Sequence, residues 1–198
     1  GCRFIGNSAQ DEGGAIAIEV SQNVLIINSL FENNKANRGS DIYLYPDYTS
    51  GNVPNHAKSE KVEIIGCQFN SNTETNSNSI FCDIGTETKL SITSSEFTYT
   101  GNNENPPANP AEYVIVSKFF NTFIDGLQFH YAQANKFVGA ISLSGVQSIH
   151  VSNVNYQNTN SICGVNIEDS PSISLFNITD CNFGIAPGDG EAIILHDH

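Results

Sequence analysis

VLIINSLFENN, residues 24–34, is the stretch on which the fold turns. Val24 and Ile26 alternate with their neighbours at a period of two, and β-branched residues at that period read as a strand. Asn28 follows, a residue that visits left-handed backbone readily and so can turn the chain. Ser29 is small, and Leu30-Phe31 resumes as a second short strand ending on the aromatic. The unit is therefore strand, one-residue corner, short strand.

The same context surrounds seven aromatics: Phe4, Phe31, Phe69, Phe97, Phe129, Tyr156 and Phe183, at spacings of 27, 38, 28, 32, 27 and 27 residues. Three residues before them stand Gly1, Asn28, Gly66, Ser94, Gly126, Asn153 and Asp180, all turn-formers. Two before stand Cys2, Ser29, Cys67, Ser95, Leu127, Val154 and Cys181, small or medium residues. Five before stand Ile26, Ile64, Ile92, Ile124, Val151 and Ile178. Seven before stand Val24, Val62, Leu90, Thr122, Ile149 and Phe176. A further β-rich run follows each aromatic: GGAIAIEV (13–20), SDIYLY (40–45), SIFCDI (79–84), EYVIVSKFF (112–120), GAISLS (139–144), GVNIED (164–169) and EAIILH (191–196).

A unit of about 27 residues with three short strands cannot bury its own apolar face, but identical units stacked in register can. The expected fold is all-β: a right-handed parallel β-helix, or solenoid, of about seven coils with three short strands per coil. At about 4.8 Å per coil the rod would be about 34 Å long. The two long spacings read as insertions into a single β-helix segment spanning 1–198, at 46–60 and at 98–112. Corners of a solenoid tolerate insertion cheaply, and loops on a rigid scaffold also commonly carry binding.

The motifs FIGN (4–7), FENN (31–34) and FNSN (69–72), with GGAI (13–16) after the first, resemble the FxxN and GGA[I/L/V] repeats of chlamydial-type polymorphic outer membrane proteins. The resemblance implies a right-handed β-helix displayed at a cell surface, with adhesion as its role. FxxN occurs only in the first three units and GGAI only in the first. The later units keep the columns without the tetrapeptides. In this reading Asn7, Asn34 and Asn72 hydrogen-bond the turns and stack coil on coil, and Gly13 and Gly14 permit a tight corner. These are structural roles, and no catalytic residue is carried over.

Other chemistry-bearing residues are sparse. Of Cys2, Cys67, Cys82, Cys163 and Cys181, three lie in the inward column two before the aromatic. Inert buried thiols are the favoured reading, with a disulfide such as Cys67–Cys82 open, and there is no CxxC pair for zinc. The histidines are His56, His130, His150, His196 and His198, and His150, between Ile149 and Val151, should face solvent. His196-Asp197-His198 could touch a metal, but adjacent strand residues point to opposite faces, so a solvated end is the favoured reading. Asp41, Asp83, Glu168, Asp169, Asp189 and Glu191 fall at different offsets from their aromatics, so no acidic column forms of the kind a glycoside hydrolase requires. Asp189-Gly190-Glu191 is the best acidic cluster and reads as a turn. A lyase would need a basic residue beside its site, and neither Arg3 nor Arg38 lies in a motif. Asn177-Ile178-Thr179 is a glycosylation sequon on an outward position.

Composition narrows the classes. The 198 residues carry 8 Lys+Arg against 21 Asp+Glu, a net charge of −13, which argues against nucleic acid and anionic membrane. The chain has no Met and no apolar run long enough to span a bilayer, and it reads as a segment of something larger. The expected function is a non-catalytic structural or adhesive segment of a large extracellular or cell-surface protein. Its partners would be other surface or matrix proteins, glycans, or copies of itself. The alternative is a carbohydrate-active β-helix, a polysaccharide lyase or hydrolase. No cofactor is expected, with calcium at acidic, Asn-rich turns the one candidate ion.

Overall fold

A computed structural model describes residues 1–20, 23–46, 61–71, 78–100, 111–131, 137–157, 161, 163–170, 172–184 and 190–196. Among these there is no helix, and every strand pairing is parallel. The chain is a parallel β-solenoid.

The aromatics line one sheet of seven strands: β1 (Arg3–Ile5), β4 (Leu30–Glu32), β7 (Gln68–Ser71), β9 (Glu96–Tyr99), β11 (Gln128–Tyr131), β14 (Asn155–Gln157) and β17 (Asn182–Gly184). Its register places Phe4, Phe31, Phe69, Phe97, Phe129, Tyr156 and Phe183 opposite one another in turn. From Phe4 to Phe129 the rings stack nearly parallel at 4.6–4.9 Å. Tyr156 breaks the stack by turning edge-on to Phe129 at 82°, and its hydroxyl bonds Ser161 Oγ. Fully burying one such ring stabilises the fold by about 2–3 kcal/mol.

The remaining strands form an eleven-stranded assembly. One path runs through β2 (Ile16–Val20), β5 (Ile42–Pro46), β8 (Ile80–Thr93), β10 (Ala111–Asp125), β12 (Phe137–Ser144), β15 (Cys163–Glu168) and β18 (Glu191–Leu195). A second row, β3 (Val24–Ile27), β6 (Lys61–Ile65), β13 (Ser148–Ser152) and β16 (Leu175–Thr179), joins the later halves of β8 and β10. Three short strands per repeat thus hold for most of the chain. In β8 and β10 two of the three run together as one strand, bent by a register irregularity between Ser117 and Asn121.

The inward columns match the sequence reading. Ile26, Ile64, Ile92, Ile124, Val151 and Ile178 stand in one register, and Val24, Val62, Leu90, Thr122, Ile149 and Phe176 in the next. Thr122, the only hydroxyl in its column, shares a hydrogen bond with Ser117 Oγ at 3.2 Å. Phe176 departs from burial, at 47% exposed, because β16 has a strand on one side only. The corner column holds Asn28, Gly66, Ser94, Gly126, Asn153 and Asp180 at φ between 47° and 67°, left-handed as residue type predicts for Gly, Asn and Asp, with Ser94 held there by the corner itself. Ser29 and Ser95, two before their aromatics, accept the N–H of Cys2 and Cys67 respectively, each at 3.1 Å.

GGAI has a diverged copy that its spelling conceals. Ile42 pairs with Ile16, and Gly14 N–H donates to the Gly39 carbonyl at 3.2 Å, so Gly39-Ser40-Asp41-Ile42 repeats the corner. Gly13 and Gly39 share a positive φ, 63° and 57°. The insertion at 46–60 falls between β5 and β6 and that at 98–112 between β9 and β10; beyond Pro46, 98–100 and 111–112 they lie outside the described residues.

Candidate functional site

Two constellations depart from plain coil stacking, one inside the solenoid and one on its outer wall. Inside, the predicted Asn ladder forms between Asn7 and Asn34, whose Oδ1 accepts both the backbone N–H and the side-chain amide of Asn7 at 3.0 and 2.9 Å. Asn34 passes the chain onward, donating to Phe4 carbonyl at 3.1 Å and to Asp41 Oδ1 at 2.9 Å. Ser79 donates to Asp41 Oδ2 at 2.8 Å and lies 2.7 Å from Tyr99 OH. Burial pushes the Asp41 carboxyl up to about 6 against the pull of its two donors. Asn72, the third member of the predicted ladder, lies outside the described residues.

The outer wall is built by β3, β6, the later halves of β8 and β10, β13 and β16. Residues between the inward ones must point out, and their register gives three outward rows. Leu25, Glu63, Ser91, Phe123, His150 and Asn177 form the middle row; Lys61, Lys89, Asn121, Ser148 and Leu175 form one flank. Phe123 is 41% exposed and stacks on the His150 ring at 4.6 Å with planes 3° apart. Lys61, Lys89, Ser91, Asn121, Phe123, Ser148 and neighbouring residues line a groove of about 480 Å³.

A hydrogen-bonded chain locks the far side of this wall. Ser152 donates to Asp125 Oδ1 at 2.6 Å, and Asn153 donates to the same oxygen at 2.7 Å. His150 Nε2 is 2.9 Å from Ser152 Oγ, and Asn177 Nδ2 is 3.1 Å from His150 Nδ1. Ser152 has one proton and spends it on Asp125, so Nε2 of His150 carries hydrogen and Nδ1 accepts from Asn177. Donation from Ser152 and Asn153 holds the Asp125 carboxyl below the usual carboxylate range. A nucleophilic triad needs histidine between serine and acid, with a free lone pair on the histidine nitrogen that takes the serine proton. Here serine sits between acid and histidine, so the chain orients side chains and does not activate Ser152.

The other predicted residues are dispersed. Asp83 accepts from Tyr43 OH at 3.1 Å and faces Lys118 Nζ at 3.8 Å; Glu168 accepts from Asn166 at 2.6 Å; Asp169 is a left-handed corner, φ 47°. Glu191 is exposed opposite Cys163, while Asp189, His56, Asp197 and His198 lie outside the described residues. His130 Nε2 lies 3.1 Å from Glu96 Oε1, and His196 is exposed. Arg38 pairs with Glu12 and covers the Tyr43 and Phe81 rings at 5.5 and 5.6 Å; Arg3 lies on exposed β1.

All five cysteines are free thiols. Cys67, Cys82 and Cys163 are buried, Cys181 is half-buried, and Cys2 is exposed at the end of its column. Among the described residues no three His, Cys, Asp or Glu side chains gather as metal ligands. His150, expected at the surface, is half-buried because its ring is held between Phe123, Ser152 and Asn177.

Sequence reasoning passed over Phe123, Lys61, Lys89, Asp125 and Ser152. The available signal was phase: Phe123 stands between Thr122 and Ile124, so a large aromatic occupied an outward slot. Comparison with protein-family models, curated proteins and solved structures finds no match to this chain.

Proposed function

We propose that the chain is a non-catalytic structural and adhesive segment of a larger extracellular or cell-surface protein. In this reading it is a right-handed β-helix of about seven coils, of the kind its FxxN and GGAI motifs resemble. One observation carries the reading: the outer wall presents Phe123, His150 and Asn177 in one row, locked by a hydrogen-bonded chain that lacks the order of a nucleophilic triad. Rigid, pre-oriented polar and aromatic groups on a stiff scaffold cut the ordering cost of binding. The copied Gly39–Ile42 corner supports the repeat reading, since it extends GGAI into the second unit.

The test is binding of the labelled chain to cells and extracellular matrix, with sedimentation for self-association and a parallel calcium titration. Saturable binding to cells, matrix, or its own copies is expected. A strictly monomeric chain that binds none of them sinks the adhesive reading. Release of new reducing ends or unsaturated products from a polysaccharide would replace it with the carbohydrate-active alternative.

A further inference from the structure

We propose that the groove beside Phe123 binds an acidic sugar residue, a hexuronate within an oligosaccharide, with its ring stacked on Phe123 and its carboxylate between Lys61 and Lys89. The inference rests on the adhesive reading above and names its ligand class.

The first argument is charge. Lys61 and Lys89 stand directly opposite each other on neighbouring strands. Like charges in that relation destabilise a sheet. The chain has only 8 basic residues against 21 acidic ones, so two lysines in register is a costly use of scarce positive charge. Glu63 answers Lys61 at 2.7 Å, whereas Lys89 makes no ion pair among the described residues. An anion seated at this rim would relieve the repulsion.

The second argument is shape. One face of Phe123 is covered by His150, and on the other side its register neighbour is Ser91, a short side chain. The ring therefore borders the groove with a face that no protein ring covers. A flat six-membered ring placed there extends the His150–Phe123 stack by one more layer. Around that position stand Ser91, Asn121 and Ser148, hydroxyls and an amide that can donate to and accept from ring hydroxyls. An apolar wall with a few convergent polar groups is the usual make-up of a small-molecule site. A ring with an apolar face, several hydroxyls and one carboxylate satisfies all three features together. An acidic peptide would use the lysines but leave the Phe123 face and the hydroxyl floor without partners.

The test uses the full chain and a hyaluronan tetrasaccharide, with neutral tetra-N-acetylchitotetraose and hexaglutamate as controls, read by calorimetry and by shifts of the Phe123 and His150 ring resonances. The expected result is saturable hyaluronan binding at about millimolar Kd or tighter, weakened by salt. Phe123→Ala and Lys89→Gln, both at exposed positions, should each weaken it about threefold to tenfold with unchanged circular dichroism. No saturable binding, or binding that neither variant alters, overturns the proposal. Hexaglutamate binding as tightly as hyaluronan overturns the sugar assignment. Cell binding that persists without hyaluronan binding would sink this proposal and leave the adhesive reading standing, whereas cleavage of the tetrasaccharide would do the reverse.

Discussion

Asn34 donates its side-chain amide to Asp41 Oδ1 at 2.9 Å, with both residues buried and only seven positions apart in the chain. The bond belongs to a polar seam that runs from exposed Asn7 through buried Asn34, Asp41 and Ser79 to Tyr99.

That seam makes stability depend on pH. Asp41 titrates at about 6 when folded and near its ordinary 3.8 when unfolded. The folded state thus holds its proton more tightly, so the contribution is fully present below pH 3.8 and is lost as pH rises through about 6. A shift of that size corresponds to about 3 kcal/mol. Asp41→Asn keeps an acceptor for Asn34 and a donor for Ser79 and has no charge to desolvate. Urea unfolding of both proteins at pH 3.5 and pH 8 should show the wild type losing more stability than the variant on going to pH 8. Equal losses would show that Asp41 is not the responsible group.

The aromatic column should be most sensitive at its centre. Phe97 is fully buried and stacks on Phe69 at 4.6 Å and Phe129 at 4.9 Å. Phe97→Ala should cost about 3–5 kcal/mol by denaturant unfolding. Phe4→Ala should cost clearly less, because Phe4 is half-buried and has a ring on one side only.

Two glycines of the first repeat separate backbone strain from space. Gly6 has φ 64° and open room around a would-be Cβ, so Gly6→Ala should cost only the left-handed penalty of about 1–2 kcal/mol. A Cβ on Gly14 would collide with the Ser40 carbonyl oxygen and sit 2.6 Å from that of Lys35 in the next coil. Gly14→Ala should therefore cost about 3 kcal/mol or more, since backbone must move. Similar melting temperatures for the two variants would refute the close approach.

Thiol reactivity should follow position in the stack. Burial raises the thiols of Cys67 and Cys82, and brings Cys163 up to about 11, so each is protonated at pH 8. Alkylation of the native protein at pH 8, located by peptide mass, should label Cys2 first and Cys181 more slowly. Cys67, Cys82 and Cys163 should react only after denaturant. Early labelling of Cys82 would contradict its place in the core.

The columns were legible because each depends on a local rule repeated. A β-branched residue at a period of two marks the strand, and Asn, Gly, Ser or Asp before a short strand marks the left-handed corner. Phe31, Phe69 and Phe97 could be aligned without knowing what they touch. Gly39-Ser40-Asp41-Ile42 was not recognised as a copy of GGAI, because only the first and last positions of the motif keep their residues. Phe123 and the lysines were missed for a different reason. An outward position makes no demand on folding, so the lysines look like solvated wall, and only the phase of the strand, which puts the large Phe123 ring outward, marks the site.

The sequence by itself determined the parallel stacking, the inward columns and the corner residues, since burial of apolar side chains at fixed intervals admits few other arrangements. Only the tertiary structure decided what those aligned residues build together. Lys61 and Lys89, and Phe123 and His150, share offsets from their aromatics, but the ring stack and the groove beside it belong to the folded wall. The Asp41 seam joins Asn34 to Asp41 and Ser79 to Tyr99, 7 and 20 positions apart, separations that follow no repeat, whereas Asp41 and Ser79 are one 38-residue repeat apart. Contacts across coils depend on what the neighbouring coil presents at the same height, and that is a property of the stack and not of any one strand.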